Sequence, residues 1–152
     1  MLKRVICTLL IATIILVLPI NTRATPVVDT TSIMYLDDGS YITITIDETG
    51  SRASGTKSGR KTYTYTASNG DICWESTLTG TFTYTGTTAT CTASNCSVTV
   101  YESNWYTVSK SASKSGNTAT ATFTMGRKVL GITIAKDTYE ITLSCDKNGN
   151  LS

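Results

Sequence analysis

The sequence predicts an all-β fold: an antiparallel β-sandwich of immunoglobulin-like architecture with about 8–9 short strands. Three observations lead there. Threonine recurs at every second position in stretches such as YITITI (41–46), TLTGTFTYTG (77–86) and TATATFTM (118–125). Turn signals follow one another at short intervals. No window carries an apolar period of about 3.6 residues, the mark of a helix, and proline is absent after Pro26.

The N-terminus sets the compartment. Lys3 and Arg4 precede sixteen mostly apolar residues, VICTLLIATIILVLPI, and then the small-residue stretch NTRATP. This is the charged, apolar and small-residue order of a signal peptide, with cleavage expected after Ala24 and Thr22 three positions before the cut. An uncleaved anchor is the competing reading, but the run falls short of the roughly 20 residues that a spanning helix needs. Residues 1–24 are therefore read as a signal peptide, 25–32 as a polar lead-in and 33–152 as one β-sandwich domain. The chain is expected to be secreted, free in the medium or held at the cell surface, with no membrane span once processed. Cleavage removes Lys3, Arg4 and Arg23, leaving ten of thirteen basic residues against eleven acidic ones, so the net charge passes from +2 to −1. That balance gives no support to nucleic-acid binding.

The elements follow in order. IMYL (33–36), the turn DDGS and YITITID form a first hairpin. Residues 48–60, ETGSRASGTKSGR, hold glycine, serine and positive charge without an apolar period, and read as a flexible, protease-sensitive loop. Further turns are expected at SNGD (68–71), TGT (85–87), TASN (92–95), ESN (102–104) and SGN (115–117). In 72–84 the even positions are Ile72, Trp74, Ser76, Leu78, Gly80, Phe82 and Tyr84, and the odd ones Cys73, Glu75 and four threonines. Successive side chains of a strand point to opposite faces, so one face is apolar and the other hydroxylated. Threonine suits the wet face because its branched Cβ favours extended backbone while its hydroxyl stays solvated. A two-residue turn at Gly116-Asn117 would pair Ala112 with Ala121, Lys110 with Phe123 and Val108 with Met125 on the apolar face, with Ser111–Thr122 and Ser109–Thr124 opposite. Lys110 fits there only near a rim, where its stem can snorkel.

The chemistry-bearing residues mostly exclude activities. The chain has no histidine, so Ser-His-Asp and Cys-His catalysis are absent. Ser-x-x-Lys occurs at Ser54–Lys57 and Ser111–Lys114, with Lys-Ser-Gly at 57–59 and 114–116. These pieces resemble penicillin-recognising enzymes, but that chemistry needs a helix to bring Ser and Lys together. The acids Asp37, Asp38, Asp47, Glu48, Glu75, Glu102, Asp137 and Glu140 fall at turns or on wet faces; a paired-carboxylate hydrolase is the only enzyme reading left. DKNGN (146–150) begins like an oxygen-ligand calcium loop but lacks a closing carboxylate, and reads as a turn. No cofactor or metal is expected, and the threonine array has no fixed period of the kind an ice-binding ladder needs.

Two features suggest sites. Trp105 follows a turn and has the parity of Thr107 and Ser109. If exposed, it and Tyr106 could stack on a sugar ring or anchor a protein; if folded back, Trp105 would cap the sandwich rim. Trp74, Tyr63 and Tyr65 have apolar-face parity. Four cysteines remain after export, and an even number in an exported chain reads as two disulfides; a zinc site lacks both histidine and C-x-x-C. By parity Cys91 and Cys145 point inward and Cys73 outward, while Cys96 sits at a strand entrance. The expected bridges are Cys91–Cys145 and Cys73–Cys96.

LDDGSY, TYTY followed by Trp74, LTGTFTYTG, TATCT, SASKSGNTAT and the closing L-x-C…G-x-LS together resemble an uncharacterised group of small exported Thr/Ser-rich β proteins of Gram-positive, gut-type bacteria. The resemblance spans roughly residues 35–152 and implies compartment and fold; that group carries no activity to transfer. Its members share the positions of Cys91 and Cys145, whereas Cys73 and Cys96 look like additions. Cys91, Trp105 and Cys145 also have about the Cys…Trp…Cys spacing of immunoglobulin domains, although Tyr139 is misplaced for a tyrosine corner. The leading expectation is a non-enzymatic exported β-sandwich acting as a binding or surface-structural module for a protein or glycan at the cell surface. The alternatives are a carbohydrate-binding module using Trp105 and Tyr106, and a small carboxylate hydrolase.

Overall fold

The computed structural model describes residues 30–49 and 55–152; the expected signal peptide and most of the expected lead-in lie outside them. Eight antiparallel strands form two packed sheets. The first holds β1 (Thr30–Tyr35), β2 (Tyr41–Thr49), β3 (Thr56–Thr66), β4 (Ile72–Tyr84) and β5 (Ala89–Val100) in chain order. The second holds β6 (Trp105–Ser115), β7 (Thr118–Val129) and β8 (Ile132–Ser144). The fold is thus an all-β antiparallel sandwich. Each sheet is a meander in which consecutive strands pair, and the chain changes sheets once, between β5 and β6.

The parity reading holds along the centre of β4. Trp74, Ser76, Leu78, Gly80 and Phe82 are buried, while Glu75, Thr77, Thr79 and Thr81 are only partly so. They meet Ala119, Ala121, Phe123 and Met125 of β7 and Ile141 and Leu143 of β8, all 0% exposed. Small residues let the sheets close. A Cβ on Gly80 would lie 2.6 Å from the Phe82 ring and 3.3 Å from Ala119 Cβ. The threonines of the wet faces pair across strands: Thr62 Oγ1 with Thr77 Oγ1 at 3.1 Å, Thr124 Oγ1 with Thr138 Oγ1 at 2.8 Å. Each such pair adds a few tenths to about 1 kcal/mol, so the threonine habit builds sheet. The three-stranded sheet does not cover all five strands opposite, and every residue of β1 is exposed.

Four β-bulges account for most departures from the expected pattern. A bulge sets two residues against one, so parity reverses across it. Tyr65 pairs with Trp74 but Thr66 with Ile72, leaving Cys73 as the extra residue; Cys73 is buried and Ile72 exposed, the opposite of expectation. In β5 the extra residue is Thr92, between Cys91 opposite Phe82 and Ala93 opposite Thr81. The expected turn at 92–95 is this bulge, inside an unbroken strand. Cys91 therefore faces inward as expected, but Cys96, opposite Leu78, does too. In β6 the extra residue is Val108: Thr107 and not Val108 opposes Met125, although Ser109–Thr124, Lys110–Phe123, Ser111–Thr122 and Ala112–Ala121 pair as expected. The fourth is Ile134, between Lys128–Thr133 and Arg127–Ala135.

Two boundaries also change. Thr30, Thr31 and Ser32, placed in the lead-in, belong to β1. The segment 48–60, expected as a flexible loop, is mostly strand, with Glu48 opposite Gly59 and Thr49 opposite Ser58. Its charges are anchored: Lys57 Nζ lies 2.5 Å from Glu48 Oε1 and donates to Gly149 O at 2.6 Å, and Arg60 pairs with Asp47. Only 50–54 fall outside the described residues.

Candidate binding pocket at the loop end

Three turns meet at one end of the sandwich. LDDGS (36–40) joins β1 to β2, ASNGD (67–71) joins β3 to β4, and 101–104 carries the chain between the sheets. The first two have the same form. Leu36 N donates to Ser40 O and Gly39 N to Leu36 O; Ala67 N donates to Asp71 O and Gly70 N to Ala67 O. Each needs glycine at its fourth position, where φ is 81° in Gly39 and 93° in Gly70. The third turn is tied to the β4 bulge, because Tyr101 N and Glu102 N both donate to Cys73 O.

Between these turns lies a cavity of about 330 Å³ lined by Asp38, Asp71, Glu102, Asn104, Trp105 and Arg127, among others. Trp105 is its aromatic wall and is 8% exposed. Its ring lies 5.0 Å from that of Tyr65 and 6.4 Å from that of Trp74, centroid to centroid. The Arg127 guanidinium stands 5.8 Å over the Trp105 ring, within cation–π range. Trp74 in turn contacts Phe123 and Tyr139, so one aromatic cluster runs from the cavity into the core.

The expectation of an exposed Trp105–Tyr106 platform is corrected here. The Val108 bulge reverses parity, so Trp105 shares the inward face of Thr107. Tyr106, its neighbour, takes the opposite face. There its ring lies on Gly126, where a Cβ would come within 2.3 Å of it. Its hydroxyl meets Thr133 Oγ1 at 2.9 Å and Lys128 Nζ sits 4.4 Å from its ring centroid. The two aromatics are separated by a sheet. The residues that sequence reasoning missed are Arg127, Asn69, Asp71 and Asn104; three of them sit in turn signals, but only the fold shows which turns converge.

The polar groups of the cavity are organised. Asp38 Oδ1 accepts from the Ser40 hydroxyl and, at 3.0 Å, from Ser40 N. Tyr65 donates to Ser40 Oγ at 3.0 Å. These bonds, the Ser40 hydroxyl first and the Arg127 charge last, hold the Asp38 carboxyl below its ordinary value. Asn69 Nδ2 donates to Asp71 Oδ2 at 2.6 Å. Burial pushes the Cys73 thiol up, which keeps it protonated and a poor nucleophile. Burial also pushes up the Tyr65 phenol and takes that of Tyr139 to about 12.

The other candidates come apart in the structure. All four cysteines are free, buried thiols, so neither expected bridge is closed. Cys73–Cys96 is excluded by register: Cys96 opposes Leu78, five positions along β4 from Cys73. That is about 15 Å at strand rise, beyond the roughly 7 Å that a disulfide tolerates between Cα atoms. Cys91 and Cys145 do approach each other, at the far end from the cavity. Cys91 N donates to Gly116 O and Cys145 N to Asn117 O, adjacent residues of one turn; burial first, and Asp146 and Cys91 after it, push the Cys145 thiol up. Ser111 and Lys114 lie three apart on a strand, on opposite faces. DKNGN is a turn: Asp146 Oδ1 accepts from Asn148 N and Asn150 N, each at 2.8 Å. Among the described residues no group of three or more Cys, Asp or Glu side chains could hold a metal ion, and no helix is long and apolar enough to cross a membrane. Comparison of the chain with protein-family models, curated proteins and solved structures gives no match.

Proposed function

We propose that the chain is an exported, non-catalytic binding module and that the loop-end cavity is its ligand site, with the terminal sugars of a surface glycan as the ligand. The observation that carries this reading is the makeup of the cavity. The part of Trp105 left uncovered beside Arg127 offers a small apolar surface, while Asp71, Glu102, Asn69 and Asn104 offer acceptors and donors around it. A sugar presents C–H groups to an aromatic ring and hydroxyls to carboxylates and amides. The volume of about 330 Å³ lies at the small end of the range for ligand pockets, roughly 300–1,000 Å³, which suits one or two sugar units.

A carboxylate hydrolase is less well supported. A general acid needs its pKa raised towards neutrality, whereas the hydrogen bonds on Asp38 lower it. Export rests on residues 1–24, and protein collected from the medium of expressing cells is the material to test. On a glycan array it should bind a defined terminal structure. Glu102→Gln and Asn104→Ala should each weaken that binding about tenfold, as loss of a hydrogen bond to a ligand does, with circular dichroism unchanged. Silence across the array, or binding indifferent to both substitutions, would sink the proposal.

A further inference from the structure

The β7–β8 hairpin ends in a second feature, distinct from the cavity. Val129 pairs with Ile132 across the two-residue turn Leu130-Gly131. Val129 is 47% exposed, Leu130 97%, Ile132 70% and Ile134 55%. Leu130 has φ of 49°, the one non-glycine residue with positive φ among those described. Turns of this kind favour Asn or Gly at that position, so the chain accepts backbone strain to place a leucine in open solvent. Among the described residues nothing lies within 4 Å of a Cβ built on Gly131, and Leu130 is almost wholly exposed.

The charges behind the tip have one sign. Residues 126–136, GRKVLGITIAK, contain Arg127, Lys128 and Lys136 and no acid. Lys128 lies opposite Thr133 and Lys136 opposite Gly126. The lysines thus trail the tip by about 7–13 Å, at strand rise. Of the acids of this end, Asp38, Asp71 and Glu102 surround the cavity with Arg127 among them, and Asp137 follows Lys136 on β8, opposite Met125. They stand at the base of the ribbon, not at its tip.

We propose that this tip docks the protein on an anionic lipid bilayer. Val129, Leu130 and Ile132 enter the headgroup–acyl boundary while Lys128 and Lys136 meet lipid phosphates. Interfacial segments bury their apolar side about 5–10 Å deep, which matches the setback of Lys128; Lys136, further back, meets the headgroups by extending its side chain towards the tip. The residues 129–132 carry no polar side chain. An apolar tip followed by Lys128 and Lys136 is complementary to a lipid surface that is apolar inside and anionic at its headgroups. A second copy of this chain is the rival occupant.

A tryptophan at the tip reads immersion locally, whatever the N-terminus does. In Leu130→Trp, the added fluorescence over the buried Trp74 and Trp105 should shift to the blue with vesicles of equal parts phosphatidylglycerol and phosphatidylcholine. Acyl-brominated lipids should quench it. Lys128→Gln with Lys136→Gln in that background should weaken the response about 30-fold, and phosphatidylcholine alone should give little. Leu130→Asn, which suits the turn, should cut partition of the folded protein roughly tenfold or more. Absence of quenching, or equal response to uncharged vesicles, overturns the proposal. So does lipid-free self-association that Leu130→Asn abolishes, which would assign the tip to a second copy.

Discussion

Strand β7 ends in two turns that differ in every respect. At its start, Gly116-Asn117 is held by three hydrogen bonds: Cys91 N donates to Gly116 O, Cys145 N to Asn117 O, and Asn117 Nδ2 to Cys145 O at 2.7 Å. At its finish, Leu130-Gly131 stands open, with Leu130 97% exposed and no atom of the described residues near a Cβ on Gly131. The first turn uses residues suited to its geometry and ties β5, β7 and β8 together. The second uses a residue unsuited to it. Where turn chemistry and fold agree, the segment is explained by stability; where they disagree, stability offers no account, and the proposed docking would supply one.

The largest expected effect lies at the tied turn. We expect Cys91 and Cys145 to oxidise to a bridge when the chain is exported, because both reach the same turn from opposite sheets. Closing a loop of that length restricts the unfolded chain by about 4 kcal/mol in the chain-entropy account. Peptide mapping without reduction should recover the 91–145 pair, with Cys73 and Cys96 as thiols. A Cys73–Cys96 peptide would contradict the register of β4 and β5. Denaturation with and without reductant measures the rest; equal midpoints would remove the bridge from any role in stability.

Exchanging the turn residues sharpens the contrast. Asn117→Ala removes a side-chain bond to Cys145 O and should cost about 1 kcal/mol. Leu130→Asn relieves left-handed backbone strain and should add up to about 1 kcal/mol. Opposite signs in urea denaturation are the expected result. A loss of stability in Leu130→Asn would mean that the leucine packs on something in the fold.

The same contrast governs what was legible in the sequence. Alternation alone shows the apolar face of Trp74, Leu78 and Phe82, because no bulge interrupts that run. The Gly116-Asn117 hairpin is legible for its turn chemistry, and its register follows back to Ser109. At the β4 and β6 bulges the reading inverts: Cys73, Trp105 and Val108 fall on faces opposite to those expected, and past the Thr92 bulge Cys96 turns inward, away from its expected partner. A bulge of this kind needs no glycine or proline, so it leaves little local signal; its reason is a partner strand whose count differs by one. The TASN signal at 92–95 did mark the Thr92 bulge, read there as a turn. The cavity was invisible for a related cause, since Asp71, Asn104 and Arg127 converge only once three separate turns are stacked.

The smallest expected effects come from two carboxylates at opposite ends. Asp146 is held below its ordinary value of 3.8 by Asn150, side chain and then backbone, with Asn148 N and Gly149 N adding to this. Asp38 is held below the same value by the Ser40 hydroxyl and backbone, with a contribution from Arg127 across the cavity. A carboxyl whose pKa is depressed by folding stabilises the native state fully above its unfolded value and loses that contribution as pH falls through its folded one. The melting temperature should therefore drop as pH falls from about 4 towards 2, and Asp38→Asn and Asp146→Asn should each flatten part of that fall. Salt separates the two. At about 1 M the screening length is roughly 3 Å, so the Arg127 contribution to Asp38 fades while the hydrogen bonds on Asp146 persist. Because the Ser40 hydrogen bonds are the larger cause and persist, the acid fall assigned to Asp38 by mutation should shrink only slightly in high salt, and that of Asp146 should not shrink. Equal salt sensitivity at both ends would mean that Arg127 does not act on Asp38, and that the cavity is less organised than its geometry shows.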